Sequence, residues 1–346
     1  MNIEELAAVW RRFSETECKG YSPLYERITS AVAASDEVLR RILPLPAHVY
    51  QPNLLLAAVH DRVLKGLEPR LEKIYAGQSS DDAGEAFVEC VLRAWDELLP
   101  VLKTRLVQTN EIGRVAFLTP ALASLNIEGP VTLLDVGTSA GLTLARDKCR
   151  INFGDFGAVG PSDSSVDVQC SVLNGNPPIR NVSIDRLVGL DRNPIDVNNP
   201  DDFRWMLACV WPDTGRLERT EAALRLARNS HFELITGDAI ADLPVVLQSI
   251  EGPLIVTTTW SLVYLPFDQW KEFPPLLANA SKSRPVYWIS AEAPGVVDGL
   301  PHIDAPQVEG ASASVLGLVT FNGGEITDRR TLAHVHSHGK WMWWYD

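Results

Sequence analysis

Three acids close three apolar runs in this 346-residue chain. Asp135 follows Val131-Thr132-Leu133-Leu134, Asp191 follows Leu187-Val188-Gly189-Leu190, and Asp238 follows Phe232-Glu233-Leu234-Ile235-Thr236-Gly237. A carboxylate offers two acceptor oxygens and no donor, so an acid at a strand end suits ligand hydroxyls and amines. The alternative role is a cap on the following helix, common in any α/β protein. The first acid opens Asp135-Val136-Gly137-Thr138-Ser139-Ala140-Gly141-Leu142. Gly137 and Gly141 permit a tight turn and a close approach to a ligand, because neither carries a Cβ. A helix opening near Ala140 would aim free N–H groups at whatever binds there.

These residues need strands to position them. Short apolar runs bounded by turn residues read as strands buried on both faces. The spacing predicts strands over 131–136, 186–191, 232–238, 254–259 and 286–290, with helical stretches such as 215–228 between most of them. Such alternation implies right-handed crossovers and a mostly parallel sheet covered on both sides. Asn322-Gly323-Gly324 between two apolar runs predicts an antiparallel hairpin near the carboxyl end. Residues 1–125 show apolar spacing of helical period and no strand signal, so an all-helical amino-terminal region is expected, with helices over 83–99 and 111–125 among others. Residues 126–346 form the expected α/β domain.

The Asp-x-Gly-x-x-x-Gly spacing departs from the dinucleotide fingerprint. It resembles the first motif of S-adenosylmethionine (SAM) dependent methyltransferases, which usually have glycine where Ser139 stands. The terminal hairpin also fits that Rossmann-like fold better than a dinucleotide-binding one. The resemblance implies that Asp135, Gly137, Thr138, Ser139 and Gly141 hold the methionine end of the cofactor. Asp191 would accept from the ribose hydroxyls, and Asp238 with Ala239 would lie by the adenine. The second acid usually comes about 20 residues after the glycine turn, whereas Asp191 comes 50 after Gly141. Residues 151–184 therefore read as an inserted hairpin, and Asp167 in it competes for the ribose contact.

Further candidates line the same strand ends. Asn110, Glu111 and Arg114 fall within a turn of one another on the expected helix. They are either pocket residues, with Arg114 or Glu111 meeting a charged amino-acid group, or a cap with a solvent ion pair. Thr259-Trp260-Ser261 stands where nucleic-acid amino-methyltransferases carry their Asn/Asp-Pro-Pro-Tyr/Phe signature, which is absent. Glu292, just after the fifth strand, reads as a general base or a loop cap. No catalytic residue is assigned. His334, His336 and His338 alternate on one strand face, but no carboxylate or cysteine pattern joins them, so no metal is expected. Trp341, Trp343 and Trp344 read as cover for the sheet edge.

Composition narrows the class. Hydrophobic residues make up 46%, enough for a sizeable core. A net charge of −13 argues against duplex nucleic acid and anionic membrane surfaces. Five scattered cysteines without Cys-x-x-Cys spacing favour a reducing cytosol over a disulfide framework or zinc site. Neither a signal peptide nor about 18 uninterrupted apolar residues is seen, so no membrane span is expected. The expected partner is a small molecule.

Several stretches together resemble a bacterial family catalogued as a domain of unknown function (number 2332). They are Ser22-Pro23-Leu24-Tyr25, Gln51-Pro52-Asn53-Leu54-Leu55-Leu56, Gln108 to Arg114, Asp135 to Leu142, Gly189 to Pro194 and His338-Gly339. The resemblance implies a helical region on a methyltransferase-like fold and, since Ser139 is a family trait, leaves SAM binding open. Two functions follow: methylation of a small molecule, or binding of another nucleotide or metabolite with different chemistry or none.

Overall fold

The computed structural model describes residues 1–108, 110–125, 127, 129–308 and 313–346. The chain divides into two compact units, Met1–Thr109 with Asn198–Glu221, and Asn110–Val197 with Ala222–Asp346.

The first unit is helical. Its helices are α1 (Ile3–Phe13), α2 (Pro23–Ala33), α3 (Asp36–Ile42), α4 (Pro52–Leu64), α5 (Pro69–Tyr75), α6 (Ala83–Arg93) and α7 (Trp95–Thr104), joined by a further helix at Pro200–Ala208. Caps start them as the sequence directs: Asn2 and Glu5 form a capping box on α1, and Ser22 precedes Pro23 on α2. The helix expected over 83–99 is two helices, because the chain leaves helical geometry at Ala94 (φ −99°, ψ 20°). The run Leu54 to Val59 is apolar on every side, so α4 is buried throughout its middle and forms the centre of the unit. His60 on α4 is buried with Nδ1 3.0 Å from the Ala208 carbonyl, and neighbouring Asp61 accepts from Arg204 at 2.7 Å and Lys65 at 2.6 Å.

The second unit is built on a nine-stranded sheet. Its strands are β1 (Thr132–Val136), β5 (Ser171–Asn174), β6 (Arg186–Asp191), β7 (Glu233–Thr236), β8 (Leu254–Thr259), β9 (Val286–Glu292), β10 (Ala313–Asn322), β11 (Glu325–His336) and β12 (Trp341–Trp344). The order is β5-β12-β11-β10-β9-β8-β1-β6-β7. From β9 to β7 all neighbours run parallel, and from β9 to β12 the chain meanders antiparallel. The expected strand runs, the mixed α/β character and the β10–β11 hairpin are all present. Gly323 and Gly324 turn that hairpin with φ of 63° and 91°, as a primed two-residue turn requires.

Four expectations are corrected. No α-helix follows the glycine turn: Leu142–Lys148 is a short 3₁₀ segment that leaves helical geometry at Ala145. Gly141 takes the left-handed conformation there (φ 70°), and the Leu142 amide is taken by the Asn110 side chain, so the anion-binding helix terminus expected near Ala140 is not built. The insertion is more than a hairpin. Strands β2 (Arg150–Asn152), β3 (Ala158–Val159) and β4 (Asp167–Gln169) form a small sheet of order β3-β2-β4, while β5 pairs with β12 in the main sheet. Trp341, Trp343 and Trp344 do not cover the edge; they belong to a strand lying between β11 and β5. The region expected as a helix over 111–125 starts with a 3₁₀ turn, Ile112–Arg114, and continues as the wholly buried helix Val115–Ala123.

Candidate functional site

The order β9-β8-β1-β6-β7 reverses direction between β1 and β8, and open α/β sheets hold ligands at the carboxyl ends of strands flanking such a reversal. Asp135, Thr259, Trp260, Asp191 and Glu292 all stand at or next to those ends. The only described non-glycine residues with positive φ, Ser139 (53°) and Trp260 (52°), occur there too. Such conformations cost of order 1–2 kcal/mol each and collect at functional sites.

Asp135 lies in register with Thr257 across the parallel β1–β8 pair. Its two oxygens accept from Thr257 Oγ1 at 2.6 Å and Thr143 Oγ1 at 2.7 Å. Burial pushes its pKa up; the Thr143, Thr257 and Thr138 hydroxyls and Arg114 pull it back. The carboxylate therefore ties the glycine turn to β8. Thr143 and Thr257 carry no signal of this role in the sequence, because the pairing of β1 with β8 sets Thr257 beside Asp135.

The turn itself is pinned from several sides. Asn110 donates to the Thr138 carbonyl at 3.0 Å and accepts from the Leu142 amide at 2.9 Å. The Asp191 carboxylate accepts from the Ser139 amide and from its own neighbour Asn193, each at 2.8 Å. Thr138 fills the space beside Gly189, where a Cβ would stand 2.4 Å from its methyl. Gly137 has φ 80°, and a Cβ on it would come within 2.3 Å of Ser261 Cβ; one on Gly141 would come within 2.7 Å of the Phe232 ring. Ser261 and Phe232 thus cover both glycines.

Asp238 begins the turn after β7. It accepts from the Ile240 amide at 2.8 Å and the Ala241 amide at 2.9 Å and pairs with Arg192. The Ala241 and Ile240 amides, then Arg192, hold its pKa below the usual carboxylate range. Asp191, Asp238, Ala239 and Ile240 are all partly exposed, so this side of the turn is open. Asp167 is exposed on β4, in the small sheet.

On the other side, Glu292 at the end of β9 grips the turn after β8. Its Oε1 accepts from the Ser261 amide at 3.0 Å and the Leu262 amide at 3.1 Å. Burial raises its pKa, and the amides of Ser261, Leu262 and Val263, then Arg114, oppose that rise. Arg114 is buried; its guanidinium donates to the Thr259 carbonyl at 2.7 Å and the Ser337 carbonyl at 3.2 Å. Glu111 Oε1 takes the Gly113 amide at 2.8 Å. Behind Arg114 two distant segments meet backbone to backbone: a Cβ on Gly339 would sit 1.9 Å from the Gly113 carbonyl oxygen, and one on Gly113 would sit 2.2 Å from that of His338.

His334 is buried, its Nδ1 2.7 Å from the Tyr345 hydroxyl, and His336 Nδ1 accepts from the His338 amide at 2.9 Å. Among the described residues no group of three His, Cys, Asp or Glu side chains could hold a metal, and no helix is long and apolar enough to cross a membrane. The five cysteines are free thiols.

No curated protein matches this sequence. The model of a family described as an uncharacterized protein conserved in bacteria (DUF2332) matches residues 7–344. That match takes in the glycine turn, its bracing residues and the Gly113–Gly339 contact alike, and the chain belongs to this bacterial DUF2332 family.

Proposed function

We propose that the second unit is a Rossmann-like methyltransferase domain that binds SAM at the ends of β1 and β6 and methylates a small molecule. The observation that carries this reading is Asp191. It ends the strand beside β1, touches the left-handed Ser139 amide, and is partly exposed. Each of its oxygens accepts one bond from the protein, so lone pairs remain for two ribose hydroxyls. Asp238 and the apolar Ala239 and Ile240 flank it with a partly exposed surface that suits an adenine.

The fit is uneven. The adenosine half meets open residues, while the half facing Gly137 meets Ser261 and needs the turn after β8 to shift. SAM would supply the transferable methyl group; the chain's part is to bind and align it. Asn110 and Asp191 hold the turn in shape, and the small-molecule acceptor would approach past Thr259 and Trp260. The free cysteines suit a reducing cytosol. The closed packing of Ser261 and Phe232 on the two glycines favours a second reading, in which the turn is structural and the unit binds another nucleotide or metabolite.

Calorimetry with SAM and S-adenosylhomocysteine separates the two. Micromolar binding of either supports the first reading, and no binding at millimolar ligand rejects it. Asp191→Ala should weaken binding by about 1–3 kcal/mol through the lost ribose contact; unchanged affinity moves the ribose elsewhere.

A further inference from the structure

We propose that the buried cluster beneath the turn Trp260–Val263 receives the ammonium group of a ligand, with Glu292 Oε2 as its acceptor. The proposal rests on the cofactor site above and specifies the chemistry of its closed side. Four nearly inaccessible ionisable side chains lie there, Glu292 (1% exposed), Asp135 (2%), Glu111 (3%) and Arg114 (5%), and the Tyr264 phenol is near enough to feel the charges of Arg114 and Glu292. Arg114 is the cation whose charge acts on all three acids. Both oxygens of Asp135 are hydrogen-bonded, and Glu111 Oε1 holds the Gly113 amide. Glu292 Oε1 holds two amides, but its Oε2 is buried with no hydrogen-bond partner.

A buried carboxylate oxygen without a donor is costly, and native proteins rarely keep one without a reason. Burial also works against the charged forms of Glu292 and Asp135, so a cation brought beside them is favoured. A ligand ammonium supplies both missing things, an N–H donor and a positive charge. Neither a neutral hydroxyl nor an anion supplies both. A ligand would enter through the turn over the cluster, where Trp260 is held in the left-handed region and Tyr264 (75%) and Phe267 (69%) beyond it are exposed. Two sources carry the same chemistry, the amino-acid end of the cofactor and an amine on the substrate.

The test is calorimetric titration of wild-type protein and Glu292→Gln with three probes. S-adenosylhomocysteine has the ammonium, 5′-methylthioadenosine shares its adenosine and sulfur without it, and ethanolamine is a bare amine. The glutamine carbonyl can still accept from Ser261 and Leu262, and thermal melting checks the fold. The expected result is a preference of wild type for S-adenosylhomocysteine over 5′-methylthioadenosine of about tenfold or more, lost in Glu292→Gln through a drop of about 10- to 100-fold. Equal binding of the two adenosine compounds, with ethanolamine bound by wild type and lost in the variant, assigns the subsite to the substrate amine. Failure of both adenosine compounds while ethanolamine behaves that way sinks the cofactor reading and keeps the subsite. The subsite is overturned if Glu292→Gln binds every probe as wild type does, or if wild type shows neither the tenfold preference nor ethanolamine binding; the second result needs no variant.

Discussion

The contact between Gly137 and Ser261 can be weighed by adding one methyl group. Gly137→Ala places a Cβ on a residue with φ 80°, 2.3 Å from Ser261 Cβ. Holding an L-residue left-handed costs about 1–2 kcal/mol. Forcing a methyl into a filled site costs about 1–3 kcal/mol more, since the atom in the way is a Cβ fixed to the backbone rather than the tip of a flexible chain. The expected loss is therefore about 2–5 kcal/mol. Gly295→Ala is the control: its φ is 85° and nothing lies within 4 Å of the new Cβ, so only the conformational part applies. Urea unfolding followed by tryptophan fluorescence gives both values. Adding Ser261→Gly to Gly137→Ala should bring the loss back towards that of the control. If Gly137→Ala costs no more than Gly295→Ala, Ser261 is not seated on the turn, and the account of a closed glycine face is wrong.

Three further outcomes are expected. Burial lowers the His60 pKa to about 4 from 6.5, so the unfolded chain binds the extra proton between those values. Stability should then rise with pH across that window by about 3 kcal/mol in total, and His60→Asn should flatten the pH dependence of the urea midpoint. Asp61→Ala strips Arg204 and Lys65 of a buried carboxylate and should cost about 2–4 kcal/mol, while an unchanged melting temperature would show the pairs to be idle. Burial pushes the Cys18, Cys90, Cys149 and Cys170 thiols up to about 12, so these four should resist alkylation at pH 8 and react only as urea unfolds the chain; fast labelling of any of them in the native protein contradicts its burial.

What the sequence disclosed, it disclosed through local pattern. The strands at 186–191 and 254–259 are continuous apolar runs between turn residues, and they fold with the expected limits. The Asn-Gly-Gly hairpin is likewise a property of three neighbouring residues. The misses come from distance. The helix after Gly141 fails because Asn110, thirty-two positions away, takes the Leu142 amide, and because Gly141 turns left-handed. The bond from Thr257 to Asp135 likewise joins residues 122 positions apart and shows only once the two strands lie side by side. Ser261, Phe232 and the orphaned oxygen of Glu292 have no signature in the sequence. Their importance is a matter of which space each fills once the sheet has formed.

The pairing of β5 with β12 has a consequence for how the protein is made. Residues 171–174 leave the ribosome with their hydrogen-bonding edge bare, and the partner they need is residues 341–344. Asn174 and Asn176 also wait for Trp344 and Asp346. Until that stretch has been synthesised, a short unprotected ladder is on offer to any other nascent chain. Loop closure over so long a separation is slow, so assembly of this margin should be a late event in folding and the point at which chaperone assistance matters most.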